Sequence, residues 1–271
     1  MPHEPVQEVV VGVDGSSSPR PELELAAAEA ALWSAPLTLV LVSAGPAAKI
    51  LQTASERIRA VHPALRVNTE VLDGDPAGTL VTRASEASLL ALGRGGHRRG
   101  KRAANAALGS VAAAVLGRAT VPVVICPAGM PATRAPTRSP VLVGVDGTAG
   151  SEAAIRFAFA AADRRCAPLT AVHLWPALAS PPGQERLSAA EGAFLDLLET
   201  WSEKYPDVTV RLAVRHGLDA VIVLSAASRT AQLVVVAAPH SRAADGGSPG
   251  PILTALAARS ACPVVIVPTA L

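Results

Sequence analysis

Short aliphatic runs alternate along this chain with longer stretches in which apolar residues recur every three or four positions. The first kind predicts buried strands, the second helices with one apolar face. Val9–Val13 reads as a strand, Glu22–Trp33 as a helix, Leu37–Val42 as a strand and Ala47–Val61 as a helix. Val67–Leu72, Leu89–Leu92 and Val121–Cys126 continue the strands, and Ala77–Ser88 and Leu108–Leu116 the helices. Strands separated by single helices imply right-handed crossovers, hence a parallel, doubly wound α/β sheet. Ligands of such sheets bind beyond the carboxyl ends of the strands, near the topological switch point.

The pattern then starts again. Val9-Val10-Val11-Gly12-Val13-Asp14-Gly15-Ser16 returns as Val141-Leu142-Val143-Gly144-Val145-Asp146-Gly147-Thr148. Val121-Pro122-Val123-Val124-Ile125 returns as Cys262-Pro263-Val264-Val265-Ile266, and Gly74-Asp75-Pro76-Ala77 is echoed by Gly217-Leu218-Asp219-Ala220. Ala154, Ile155, Ala158, Phe159 and Ala162 mark one helical face of the second copy, and Leu233–Val236 a buried strand. Matching openings, middles and ends in one order identify an internal repeat. Between the copies, PAGMPATRAPTRSP reads as a semi-rigid linker. The expected domains are 1–128 and 138–271, joined by 129–137.

Composition narrows the class. Half the residues are hydrophobic but only 3% aromatic, so the core must be built from Ala, Val, Leu and Ile, as suits strands covered on both faces. A net charge of +2 is too small to point to nucleic acid by itself, and no basic stretch is interleaved with aromatics. No run approaches the ~18 apolar residues of a membrane span, and the acid-bearing opening lacks the basic region of a signal peptide. A cytoplasmic protein without a membrane or nucleic-acid partner is the expectation. Cys126, Cys166 and Cys262 have no paired spacing and are expected to be reduced packing residues. Trp33 and Trp175 are expected in cores, and Trp201, followed by charges, half-exposed.

Candidate chemistry gathers at strand ends. Asp14-Gly15-Ser16 follows the first strand; it is either a turn with a helix cap or a ligand site, and the motif alone does not decide. Leu89–Leu92 runs into Gly93-Arg94-Gly95-Gly96, then a basic stretch with His97, then Gly109-Ser110 opening a helix. Glycines let backbone approach a phosphate, and a helix start offers free N–H donors at a positive dipole end. Arg94, Arg98, Arg99, Lys101 and Arg102 add positive charge, either against phosphates or as a solvated loop. Asp73 and Asp75 around Gly74 are read as caps. Metal-binding His pairs, a Gly-x-Ser-x-Gly elbow and a Walker loop are all missing from the sequence.

With these motifs the chain resembles a tandem universal stress protein, from a family of adenine-nucleotide-binding domains with flavodoxin-like (adenine nucleotide α-hydrolase-like) topology. The resemblance implies that Asp14 lies by the ribose or adenine, Val42 backbone by the adenine, and Gly93, Gly96, Gly109 and Ser110 around the phosphates. The implied ligand is ATP, possibly with Mg2+, and the implied role is regulatory rather than enzymatic. A scaffold that binds no nucleotide and a slow ATPase are the alternatives. Relatives space the last two glycines by nine residues, whereas twelve separate Gly96 from Gly109. A three-residue insertion is mild in a surface loop. In the second copy Ala237, His240, Gly250 and Pro251 take the motif's places, so that site is expected to be degraded and Asp146 a structural relic. The resemblance further implies pairing through the last strands, giving an intramolecular pseudo-dimer, a possible homodimer and an unidentified protein partner.

Overall fold

Valine, leucine and isoleucine dominate the runs that become strands, because their branched side chains fill both faces of a covered sheet. The structure, a computed structural model, describes residues 7–15, 21–45, 48–95, 108–127, 139–145, 150–175, 184–216, 219–238 and 249–269, with the side chains of 174, 175, 184–191, 215 and 216 left aside. The expected linker lies outside the described residues, as do Gly96, His97, Arg98, Arg99, Lys101, Arg102, Asp146 and His240.

The first copy runs β1 (Val9–Gly12), α1 (Pro21–Leu32), β2 (Leu37–Val42), α2 (Ala48–Val61), β3 (Val67–Leu72), α3 (Pro76–Arg83), β4 (Leu89–Gly93), α4 (Ser110–Arg118) and β5 (Val123–Cys126). Its strands are parallel in the order β3-β2-β1-β4-β5. The second copy runs β6 (Val141–Val145), α5 (Ser151–Arg164), β7 (Leu169–Trp175), α6 (Gln184–Lys204), β8 (Val210–His216), α7 (Ala220–Ala227), β9 (Leu233–Ala237), α8 (Pro251–Arg259) and β10 (Val264–Val267). Its strands are likewise parallel, in the order β10-β9-β6-β7-β8. Both are doubly wound α/β sheets of flavodoxin-like topology. The chain divides into two compact units, one holding the elements of the first copy together with α8 as far as Ala258.

Val9, Val10, Val11, Leu37, Leu39 and Leu90 are wholly buried in the first copy; Val141, Val143, Leu169, Val234 and Ile155 are their like in the second. Gly12 and Gly144 of the repeated Val-Gly-Val motif serve this packing. A Cβ on Gly12 would stand 2.6 Å from Leu92 and 3.1 Å from Leu80, and one on Gly144 2.8 Å from Leu224. These glycines make room for leucines, one of which comes from the equivalent helix in each copy.

Three local expectations are corrected. The helix expected to reach Ser88 ends at Arg83, where the Ser85 hydroxyl donates back to the Thr82 carbonyl and the chain turns. Trp201 is buried rather than half-exposed: its ring stacks on Tyr205, Tyr205 on Phe159, and the Lys204 ammonium sits 4.1 Å above the indole. Cys166 is exposed, just beyond α5 with φ 48°, whereas Cys126 and Cys262 are buried as expected.

Candidate functional site

The order β3-β2-β1-β4-β5 reverses direction between β1 and β4, which places the first copy's switch point there. Val11 pairs with Ala91 and Gly12 with Val40, so the carboxyl ends of β2, β1 and β4 lie side by side. Val42 closes β2 and is half-buried, Asp14 follows β1 and is exposed, and Gly93 closes β4. Gly109 and Ser110 begin α4, with Ser110 exposed. Five of the six residues singled out above thus belong to segments at one edge of the sheet; Gly96 lies outside the described residues.

Glycine is required where the loop after β4 begins and ends. Gly95 has φ 76°, a left-handed conformation that side chains disfavour, and a Cβ on it would come within 3.0 Å of Gly109 Cα. The Gly109 amide donates to the Arg94 carbonyl at 2.8 Å, and the Arg94 amide donates to the Cys126 carbonyl at 3.0 Å. Backbone meets backbone, so α4 starts directly above the end of β4. Gly109 is its N-cap and, having no side chain, supplies no acceptor of its own to the first-turn amides of α4. Amides at a helix start are donors of the kind that suit an anion.

Charge at the same edge is less simple. Arg94 does not face this helix start: its Nη1 donates to the Ala258 carbonyl at 2.6 Å. An acid that sequence reasoning passed over stands closer. Glu22, in the first turn of α1, is only 6% exposed, and a Cβ on Gly93 would lie 3.2 Å from its carboxyl carbon and 3.2 Å from Oε2. Burial foremost, and then the charges of Glu22 and Glu24, push the Cys126 thiol far up, which makes it an inert packing group. The Cys262 thiol is pushed up to about 12, mainly by burial, with hydrogen bonding from Ser260 pulling the other way.

Two hollows flank α3 instead. One, of about 480 Å³, is lined by residues including Gln7, Glu8, Pro36 and Arg83; the other, of about 510 Å³, by residues including Leu72, Asp75 and Thr79. The first is at the amino end of the strands, where doubly wound folds do not place ligands, and Arg83 fills its wall with an ion network. Among the described residues no group of three or more His, Cys, Asp or Glu could hold a metal ion, and no helix is long and apolar enough to cross a membrane. Asp75 and Asp219 cap α3 and α7 through their carboxylates, as read from the sequence for Asp75.

Comparison with known proteins agrees with this architecture. The family model described as the universal stress protein family matches residues 46–127 and again 137–268. A universal stress protein of Mycolicibacterium smegmatis is 33% identical over 292 residues, covering 96% of each chain. One from Mycobacterium tuberculosis is 34% identical over 275 residues, covering 90% of each. Among solved structures, a Pseudomonas aeruginosa protein described as functionally unknown superposes with a TM-score of 0.72 at 15% identity, covering 97% of this chain and 93% of its own, a likeness of fold. Two matches of one family model, one within each copy, make this chain a tandem member of the universal stress protein family.

Proposed function

We propose that this stress-response protein binds an adenine nucleotide at the carboxyl edge of its first sheet, with the phosphates against the start of α4. The observation that carries the reading is the neck formed by Gly95 and Gly109, which sets a helix start with a glycine N-cap beside the β1–β4 switch point. Asp14 and the backbone at Val42 stand at the same edge, in reach of a ribose and a base. ATP is the nucleotide proposed, with binding coupled to regulation rather than to turnover.

Thermal unfolding with millimolar ATP tests this. A ligand at ~100 times its Kd stabilises the native state by about 2.7 kcal/mol, or roughly 5–10 °C at the 2–4 °C per kcal/mol of domains this size. Ser110→Asp is the informative variant. Ser110 is exposed in the first turn of α4, where an added acid favours the helix by about 0.3–1 kcal/mol. It should therefore keep the fold and remove the ATP shift. An equal shift in the variant would place the nucleotide elsewhere. Absence of a shift in the native protein would favour the second reading, a scaffold that binds no nucleotide, for which the Glu22 carboxylate against Gly93 speaks.

A further inference from the structure

We propose that Glu22 is a specificity-determining residue of the first copy's site: an internal anion, held against Gly93, that weakens binding in step with the negative charge of the ligand. The inference rests on the nucleotide reading and sharpens it.

The two copies supply the argument. Asp14 and Asp146 are 132 residues apart, and at that spacing the buried faces of α1 and α5 coincide. Leu23 falls on Ile155, Ala26 on Ala158, Ala27 on Phe159 and Ala30 on Ala162, all buried. In this register Glu22 falls on Ala154, which is wholly buried, and Gly93, at the end of β4, corresponds to Ala237 at the end of β9. The second copy thus has two alanines where the first has a glutamate and a glycine. Gly93 lacks a side chain on the side where the Glu22 carboxyl group lies, 3.2 Å from where its Cβ would be. Space that would let a phosphate approach backbone already holds a carboxylate of the chain.

Glu22 tolerates this place because it lies in the first turn of α1, right behind Pro21, where the helix dipole favours an anion. The effect on a ligand does not require the carboxylate to be unpaired. An ion-paired Glu22 holds both the position and the cation that a phosphate needs. A phosphate brought close to this buried carboxylate is repelled, and the repulsion scales with ligand charge. Adenosine has no phosphate and escapes it.

Titration calorimetry of the full chain with ATP, AMP and adenosine, without magnesium, tests the assignment on Glu22→Gln and Glu22→Ala. The first keeps the shape; the second installs the residue that the other copy carries at Ala154. Both should bind ATP at least about tenfold more tightly than the native protein, gain less for AMP, and bind adenosine within about twofold of native. Saturating magnesium should narrow the ATP difference, because the cation neutralises phosphate charge. If the native protein binds ATP and neither variant binds it more tightly, the assignment fails and the nucleotide reading stands. Equal gains for adenosine and ATP overturn it as well, since they mean that volume and not charge was limiting. If native protein and both variants, shown folded by their thermal unfolding, bind none of the three, both ideas fall.

Discussion

The two copies share a backbone plan and divide the labour of side chains differently. At the carboxyl edge the first has Glu22 over Gly93, then Gly109 and Ser110 at a helix start; the second has Ala154, Ala237 and then Gly250 and Pro251. At the amino edge the first builds an ion network. Arg83 donates to Glu70 at 2.6 and 2.8 Å and to Glu8 at 2.6 Å, while the Thr38 hydroxyl donates to Glu8 at 2.7 Å. Register places Pro140, Ala213 and Ala227 at the positions of Glu8, Glu70 and Arg83. On the helix face the order is reversed: Ala27 in the first copy stands where Phe159 stands in the second. One copy invests in polar groups, the other in apolar volume. A repeat conserves topology more strictly than it conserves what stabilises it.

The largest effects should come from exchanging that volume. Phe159 is wholly buried and stacks on Tyr205 at 5.9 Å between centroids. Phe159→Ala should cost the second copy about 3–5 kcal/mol through lost burial and a residual cavity. The mirror change, Ala27→Phe, overpacks a site that is 1% exposed and should cost the first copy about 1–3 kcal/mol. Hydrogen exchange read by mass spectrometry separates the copies. Loss of protection spread evenly over both after either change would break the claim that each core stands on its own residues.

Next in size is the ion network. Burial alone would raise the Glu8 carboxyl pKa, but the hydrogen bonds from Arg83 and Thr38 and the Arg83 charge outweigh it and hold it below 4.5. The same bonds, from Glu70 first and then Glu8, raise the Arg83 pKa further, so the guanidinium is always charged. Removing the cation with Arg83→Met leaves two carboxylates facing each other, and should cost about 1–3 kcal/mol at neutral pH. Because the folded pKa of Glu8 is depressed, its contribution is present above 4.5 and is lost as pH falls through the folded value. Urea midpoints of native and Arg83→Met protein should therefore converge on acidification. A gap that stays constant from pH 7 into that acid range would mean that the network contributes packing, not charge.

The fold was legible because it is written in aliphatic runs, and the strands Leu37–Val42 and Val67–Leu72 have the bounds that the runs predict. Helix ends were less so: Ser85 and Ser88 look compatible with a continuing helix until their hydroxyls find backbone partners, the Thr82 carbonyl and the Gln7 amide. The candidate site was half legible. Glycine at 93 and 109 stands out in any reading, but what each glycine makes room for does not. Gly109 proved to face Gly95, and Gly93 to face Glu22. A glutamate in a first helical turn passes for an ordinary solvated residue that favours the dipole. The signal that would have exposed it was present, since Glu22 and Glu29 fall on Ala154 and Ala161 when the copies are set in register. Trp201 misled through its charged neighbours; Lys204 covers its ring instead of drawing it into water.

The smallest difference is at the helix caps, where the copies come closest to agreement. Asp75 and Asp219 both stand at the N-cap in extended conformation. Asp219 Oδ1 accepts from the Val221 amide at 2.7 Å and the Ile222 amide at 3.2 Å; Asp75 Oδ2 accepts from the Gly78 amide alone, at 2.8 Å. Each Asp→Ala change removes a cap that is typically worth about 1 kcal/mol. With two amides left unsatisfied rather than one, Asp219→Ala should cost more than Asp75→Ala by a few tenths of a kcal/mol, the scale of a weak hydrogen bond in water. Asn at either position keeps an acceptor and gives up only the charge at the positive end of the helix, about 0.3–1 kcal/mol, which salt screens. Measured by urea unfolding at low and high salt, the Asn variants should approach native stability as salt rises while the Ala variants should not. Equal costs for the two Ala variants would mean that the dipole governs these caps and the number of hydrogen bonds does not.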